Sequence, residues 1–186
     1  MSQILVKCDP QHELDVKLKS VYRSGVGKLL YMMRWSRPDI LNAVRKLSKF
    51  CHSAGPAHLV AMYRVMSYIV HTKSKGLVLA PKGSMSEIKI SGTSDSNYAT
   101  VPDNRKSVSG FAVFVNNAPV SYKSVQQKVA TLSSTEAELY AIVQCAQEIL
   151  FVMNVVESIG LQVQKPMMLF CDNRGAVVCG RTHSTH

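Results

Sequence analysis

Three carboxylates in the second half of the chain stand where a metal-dependent reaction could use them. Asp95 lies at the end of an alternating, strand-like segment, and Asp172 directly follows the apolar run 167–171. Glu138 lies near the start of a long helical pattern at 136–159. Side chains at the ends of strands reach the rim of a sheet, where α/β sites commonly lie. Three oxygen ligands without histidine suit a hard divalent cation, Mg²⁺ or Mn²⁺.

Each of these acids also has an ordinary structural explanation. An Asp after a strand often caps a turn or the next helix, and that is the simpler interpretation of any single one. On the long helix, Glu136 and Glu138 flank the apolar stripe on opposite sides, so periodicity does not choose between them. Ser133 and Glu136 match the S-x-x-E capping box, which gives Glu136 a structural role and leaves Glu138 as the ligand candidate. The stripe that this pattern predicts to be buried comprises Leu139, Ile142, Val143, Ala146, Ile149, Leu150 and Met153.

The charge distribution indicates a polyanionic partner. The 186 residues carry 22 Lys and Arg against 12 Asp and Glu, a net charge of +10. Residues 1–80 hold 13 basic and 4 acidic side chains, whereas residues 81–186 hold 9 and 8, so the excess lies almost entirely in the first part. A solvated helix face explains any one of these cations, but a phosphate-contacting surface explains the group equally well.

A phosphodiester is the substrate that would connect this basic surface with the three acids. Two divalent ions about 3.5–4 Å apart would clamp the attacking water and the leaving oxygen of a phosphodiester.

Residues 1–80 are predicted to form an irregular arm, 1–19, followed by about three helices. Apolar residues at helical spacing predict helices that begin near Tyr22, Pro38 and Pro56. Tyr31 and Trp35 are candidates to stack on nucleic-acid bases, but packing in the core is the simpler expectation. The third helix is expected to be buried through one face, and a short apolar strand is expected at 77–79. That face comprises Leu59, Tyr63, Met66 and Val70.

Residues 81–186 change from the helical period to the alternating period of strands. The turn-like composition of 81–84 separates this domain from the domain at 1–80. Strands, then a helix, a strand and a helix predict an α/β fold with a mixed sheet and packed helices, preceded by the small, mostly helical unit. The predicted elements are strands at 87–98, 110–115 and 119–124, a tight turn at 116–119, a β-rich run at 129–132, the helix 136–159 ended by Gly160, a strand at 166–171 and a helix from Asn173.

The composition argues against a secreted or membrane-bound protein. No apolar run approaches the roughly 18–20 residues that cross a bilayer, and the first ten residues lack an apolar signal core. The five cysteines include no C-x-x-C pair and the six histidines no H-x-x-x-H spacing, so neither a disulfide framework nor a zinc site is predicted. We therefore expect an intracellular protein, in a cytoplasmic particle or the nucleus, with no membrane partner.

Several strings in the second half resemble the ribonuclease H domain of copia-type LTR retrotransposons. Three upstream strings are similar to the segment that closes the reverse transcriptase of the same family, and together the similarity covers roughly residues 20–182. The downstream strings are 94–99 (SDSNYA), 103–111 (DNRKSVSGF), 118–124 (APVSYKS), 132–140 (LSSTEAELY) and 171–173 (CDN). The upstream strings are 22–27 (YRSGVG), 37–40 (RPDI) and 73–77 (KSKGL).

This resemblance implies a ribonuclease H-like fold and hydrolysis of the RNA strand of RNA–DNA hybrids by a two-ion Mg²⁺ or Mn²⁺ site. It assigns Asp95, Glu138 and Asp172 as the catalytic residues and metal ligands. It also implies that the remainder of a Pol polyprotein is a partner, and that the chain does not polymerise DNA, since the family's Y-x-D-D-type motif is absent. The family carries a fourth metal-site acid in a T-K-H-I-D string. The sequence stops at His186 without it, so we expect a C-terminally incomplete domain.

The missing acid leaves an alternative open, in which the chain is an inactive remnant that acts as a basic nucleic-acid-binding or assembly module. In the active alternative, Ser134 and Thr135 are candidates to contact the 2′-hydroxyls of the RNA strand, with helix capping as their simpler role. Asn173 either orients a ligand or caps the following helix. The candidate phosphate contacts are Arg105, Lys106 and Lys123, for which solvated strand and loop ends are the simpler explanation.

Overall fold

The computed structural model describes residues 5–80, 87–101 and 104–182. The chain divides into two compact units, Met1–Leu77 and Val78–His186. This division falls three residues before the boundary predicted at residue 80. The linker predicted at 81–84 lies outside the described residues, as do Asp103 and the last four residues.

Three α-helices and two short 3₁₀ turns make up the first unit. The first helix, α1, begins at Val16 because Asp15 caps it, with Asp15 Oδ1 accepting a hydrogen bond from the Leu18 N–H at 2.7 Å. Part of the arm predicted to be irregular is therefore helical. The strand predicted at 77–79 is wrong, because these residues belong to no strand. The helices are α1 Val16–Trp35, α2 Leu41–Ser48 and α3 Pro56–His71, and the 3₁₀ turns are Pro10–His12 and Pro38–Ile40.

Two buried polar side chains connect the helices of the first unit. Tyr22 of α1 donates its hydroxyl proton to the carbonyl oxygen of Leu47 in α2 at 2.8 Å. Arg37, 3% exposed, donates to both carboxylate oxygens of Asp39 at 2.9 and 2.7 Å and to the hydroxyl of Thr72 at 2.6 Å. The Arg37 guanidinium lowers the pKa of the Asp39 carboxyl. Arg37 therefore ties the turn after α1 to the end of α3, and it is structural rather than a phosphate contact.

The buried face of α3 differs from the predicted one. The helix contributes His58, Met62 and Ile69 to the core, whereas Tyr63 is 50% and Val70 66% exposed. Apolar residues surround α3 on nearly all sides, so the helical period alone does not select the face that meets α1 and α2.

The aromatic pair at the end of α1 is also exposed, contrary to the prediction that it packs in the core. Tyr31 is 69% and Trp35 67% exposed, and their ring centroids lie 6.5 Å apart. Two large aromatic rings in contact with solvent and with each other are available to a partner.

The second unit is an α/β unit with a mixed four-stranded sheet, which confirms the predicted ribonuclease H-like fold class. The strand order is β3-β2-β1-β4, in which the first three strands form an antiparallel meander and β4 pairs in parallel with β1. The run at 129–132 is not a strand, contrary to the prediction. The elements are β1 Ile90–Asn97, β2 Val108–Val115, β3 Ala118–Gln126, α4 Ser134–Ser158, β4 Met168–Phe170 and α5 Arg174–Thr182.

The long helix α4 packs on the sheet through a face other than the predicted apolar stripe, which is largely wrong. Of that stripe, Ile149 is buried, but Val143 is 53% and Leu150 49% exposed. A Cβ atom on Gly92 of β1 would lie 2.6 Å from the Sγ of Cys145, so helix and strand approach very closely. Gly92 has no side chain and so leaves room for Cys145 and also for the larger Ile149, whose Cδ1 would lie 2.7 Å from the same Cβ. The buried residues of α4 are Ala137, Glu138, Ala141, Cys145, Ile149 and Val156.

Helix α4 is long and apolar enough, by length and composition, to cross a membrane. This corrects the estimate from sequence that no segment approaches such a length. Of the most apolar 18-residue window of α4, 22% is buried inside the protein. A core helix of a globular protein meets the same criterion, and the contact of Cys145 and Ile149 with Gly92 places α4 against the sheet.

Candidate metal centre

Two of the three acids lie beyond the parallel pairing of β1 with β4. The last pair is Thr93 with Phe170. Asp95 lies two residues after Thr93 in β1, and Asp172 lies two residues after Phe170, past the end of β4. Asp95 was predicted to lie at the end of its strand. β1 continues to Asn97, so Asp95 lies within the strand instead.

Glu138 is held against β1 by Ser96. The Glu138 side chain is 6% exposed, and its Oε1 accepts hydrogen bonds from the Ser96 N–H at 3.0 Å and the Ser96 hydroxyl at 2.8 Å. Burial of a carboxylate is costly unless hydrogen bonds or charges compensate it. The two bonds from Ser96 orient Oε1 towards β1 and leave Oε2 for another partner.

Glu136 has the local role that the capping box predicts. Ser133 Oγ accepts from the Glu136 N–H at 3.1 Å, and the Glu136 carboxylate accepts from the N–H of Leu132 at 2.7 Å. The carboxylate reaches one residue beyond the N-cap, yet it satisfies a backbone donor at the helix start in the same way. Glu136 and Glu138, two residues apart, therefore face different partners.

A cluster of three ligating side chains forms where α4 faces the end of β4. One ligand atom each from Glu138, Cys171 and Asp172 lies within 4.8 Å of the others. The Cys171 thiol points to Glu138 Oε2 with an Sγ–Oε2 distance of 3.7 Å. Burial raises the pKa of the Cys171 thiol, and the charges of Glu138 and Asp172 act in the same direction. Asp95 is exposed and is not part of this cluster.

This arrangement fits a divalent cation. Glu138 Oε2 and the Asp172 carboxylate are hard oxygen donors of the kind that Mg²⁺ and Mn²⁺ prefer. Asp95, the third acid that the resemblance assigns, lies outside this cluster on β1. Glu138, fixed by Ser96, is the best-oriented of the three.

The three predicted phosphate contacts are not gathered at this centre. Arg105 is exposed in the loop between β1 and β2, with a φ of 51°. The Lys106 ammonium donates to the carbonyl oxygen of Lys128. Lys123 is exposed on β3, the strand at the opposite edge of the sheet from β4, and lies about two strand spacings, roughly 10 Å, from β1.

Residues with a predicted substrate role lie at the starts of the two helices. Asn173 caps α5, with its Oδ1 accepting from the Ala176 N–H at 3.0 Å, as the simpler prediction had it. A Cβ on Gly175 would lie 3.2 Å from Asn173 Oδ1 and 3.3 Å from Thr135 Oγ1, so Thr135 and Asn173 flank this glycine. Ser134, the first residue of α4, is exposed.

The chain is similar to polyproteins of transposons. It is 33% identical over 155 residues to the retrovirus-related Pol polyprotein from transposon RE1 of Arabidopsis thaliana, an alignment that covers 83% of this chain and 10% of the relative. It is 31% identical over 168 residues to the corresponding polyprotein from transposon TNT 1-94 of Nicotiana tabacum, covering 90% of this chain and 12% of the relative. The chain belongs to this family of retrovirus-related, copia-type Pol polyproteins.

The chain therefore spans about a tenth of the length of the Pol polyproteins that it matches. It is also 37% identical over 127 residues to the secreted RxLR effector protein 161 of Plasmopara viticola, which covers 68% of this chain and 87% of that protein. No family model matches the chain, and neither does any solved structure.

Two residues of this Pol-family chain that support the centre were missed by sequence analysis. Ser96 binds Glu138, and its position two residues after the buried Ser94 follows from the alternation of β1. Gln127, 2% exposed, donates from Nε2 to Ser109 Oγ and to the Ala137 carbonyl oxygen, each at 2.9 Å. No pattern indicated Gln127, because a single Gln after a strand carries no periodic signal.

Gln127→Leu is expected to destabilise the second unit by about 1–3 kcal/mol, because a buried hydroxyl and a buried carbonyl oxygen lose their donor. The matched control is Gln147→Leu, at an exposed position of α4, with an expected change below about 0.5 kcal/mol. Urea unfolding followed by circular dichroism measures both. Equal midpoints for the two variants would show that the Gln127 bonds contribute no net stability.

Proposed function

We propose that this Pol-family chain hydrolyses the RNA strand of RNA–DNA hybrids with divalent metal ions, as one part of a Pol polyprotein. The observation that carries the proposal is the buried Glu138, fixed by Ser96 and directed to the end of β4, with Asp172 beside it. Asp95 lies outside this cluster, on β1. These are the acids that the ribonuclease H resemblance assigns.

In this mechanism Glu138 and Asp172 would hold the cation, and the resemblance assigns Asp95, outside their cluster, as the third carboxylate. Mg²⁺ or Mn²⁺, when bound, supplies Lewis-acid stabilisation of the phosphate and lowers the pKa of a bound water. Ser96 keeps Glu138 in position through its two hydrogen bonds. Thr135, at the flank of Gly175, is the residue available to contact a 2′-hydroxyl.

An exposed stripe along α1 supports the nucleic-acid partner. Lys28, Tyr31 and Trp35 recur at positions i, i+3 and i+7, and Lys17 lies on the same side of the helix. Lysines contact phosphates through charge, and exposed aromatic rings stack on bases of single-stranded nucleic acid. The five cysteines, all in the described part of the chain, form no disulfide, which suits the reducing intracellular compartment proposed from the sequence.

The test is cleavage of a hybrid labelled on its RNA strand by the full chain, with Mg²⁺ or Mn²⁺. We expect cleavage of the RNA in the hybrid but not of duplex DNA, reversal by a chelator, and loss of cleavage in Asp95→Asn. Salt-dependent binding of the hybrid without cleavage at any metal concentration would leave the alternative of an inactive nucleic-acid-binding module. Absence of salt-dependent binding would overturn both.

A further inference from the structure

We propose that Glu138, Cys171 and Asp172 form a binding site for a thiophilic divalent cation of the Zn²⁺ or Cd²⁺ class, and that this cation competes with the hard cation of the nuclease. The competition rests on the proposed function, whereas the binding does not. The cysteine and histidine spacings did not predict a zinc site, because the three ligands come from two elements far apart in the sequence.

The distance between the sulfur and oxygen ligands suits a tetrahedral ion. With a metal–sulfur distance of about 2.3 Å and a metal–oxygen distance of about 2.1 Å, two such ligands of one zinc ion stand roughly 3.6 Å apart. The Cys171 Sγ and Glu138 Oε2 atoms lie 3.7 Å apart. One ligand atom each from Asp172, Glu138 and Cys171 lies within 4.8 Å of the other two, so the Asp172 carboxylate lies beside this pair.

The site is also organised before any ion binds. Glu138 is buried, and Ser96 fixes its Oε1 so that Oε2 faces the thiol. Cys171 and Asp172 are consecutive residues at the end of β4. On binding, the thiol proton passes to solvent, the sulfur bonds to the metal, and Oε2 exchanges its contact with the S–H group for the same metal.

The presence of sulfur decides which cation the cluster prefers. Mg²⁺ takes oxygen ligands and gains nothing from a thiol, whereas Zn²⁺ and Cd²⁺ bind thiolate strongly. An ion held by all three groups withdraws Glu138 and Asp172 from the hard cation. Micromolar thiophilic metal is therefore expected to inhibit hybrid cleavage in the presence of excess Mg²⁺.

The direct test is a titration of the full chain with CdCl₂ alone, followed by the ultraviolet charge-transfer absorption of the cadmium–thiolate bond. We expect one equivalent of Cd²⁺ to produce the band, and Cys171→Ser to abolish it or to weaken binding at least about tenfold. Cys179→Ser, which alters an exposed cysteine of α5, is the matched control and is expected to retain the band. A band that persists unchanged in Cys171→Ser would overturn the proposal.

A second variant covers the case in which Cys171→Ser fails to fold, as judged by circular dichroism. Asp172→Asn keeps every thiol but removes one oxygen donor, and it is expected to weaken Cd²⁺ binding at least about tenfold. Unchanged affinity in this variant would also overturn the site. Cadmium binding without Mg²⁺-dependent cleavage would contradict only the proposed nuclease, and cleavage without the cadmium band would contradict only this site.

Discussion

Glu138→Gln is expected to lower the rate of metal-dependent hybrid cleavage at least about a hundredfold, a loss typical of removing one oriented electrostatic group from a catalytic centre. Gln retains an oxygen that accepts the two bonds from Ser96 but lacks the negative charge that binds the cation. Because Glu138 is the best-oriented of the three acids, its charge is expected to contribute most to the metal affinity.

The chain offers a matched control for this variant on the same turn of the same helix. Glu136→Gln makes the same chemical change, and the amide oxygen still accepts from the Leu132 N–H, so activity is expected to stay within about twofold of the original. Rates measured over a range of Mg²⁺ concentrations separate metal affinity from turnover. An equal loss in both variants would mean that the start of α4, rather than the charge of Glu138, controls the reaction.

The distinction between these two glutamates was predictable because it depends on local chemistry. A capping box is made by residues three apart in the sequence, so Ser133 and Glu136 could be assigned without knowing the sheet. The meander and the strand at the position of β4 were also predicted, since turns and changes of period are local, whereas the parallel pairing of β4 with β1 was not. The length of this strand was overestimated, because β4 comprises only Met168–Phe170 of the predicted range 166–171.

The faces of the helices were less predictable because they depend on what each helix meets. The buried side of α4 combines the small Ala137, Ala141 and Cys145 with Ile149 and Val156, and Gly92 lets Cys145 and Ile149 approach closely. A rule that seeks the largest apolar residues selects Val143 and Leu150 instead, and these remain half exposed. Glu138 therefore lies within the buried row rather than at its edge, a position that periodicity alone did not give.

Membership of Cys171 in the centre was hidden for a similar reason. A thiol beside an acid in the sequence has no obvious base or metal partner, and its partner Glu138 lies 33 residues away. Ser96 likewise acts on a residue 42 positions later. To predict contacts between distant elements, one must know how β1 pairs with β4 and where α4 packs on the sheet. A single sequence specifies neither.

Gly25→Leu is expected to destabilise the first unit by about 1–3 kcal/mol, the range observed when side chains are inserted into packed cores. Gly25 is buried where α1 meets α3, and a Cβ there would lie 2.2 Å from the Sδ of Met62 and 3.0 Å from the Cε of Met66. Methionine ends are flexible, so Gly25→Ala is expected to be tolerated nearly without change. The four heavy atoms of a leucine side chain exceed what these methionines can vacate.

Gly27 lies two residues after Gly25 in α1. A variant at Gly27 serves as the control, because it separates the steric clash at Gly25 from the intrinsic effect of replacing a glycine in a helix. No atom lies within 4 Å of a Cβ at Gly27, so Gly27→Leu is expected to stabilise α1 by roughly 0.5–1 kcal/mol through helix propensity alone. Trp35 is the one tryptophan of the chain and lies on α1, so urea unfolding followed by its fluorescence reports on the first unit. Because both variants gain the same propensity, the difference of about 1.5–4 kcal/mol between their unfolding free energies measures the packing of α1 against Met62. A difference near zero would mean that α1 and α3 separate to admit the side chain, and that their close approach at Gly25 contributes little to the stability of the unit.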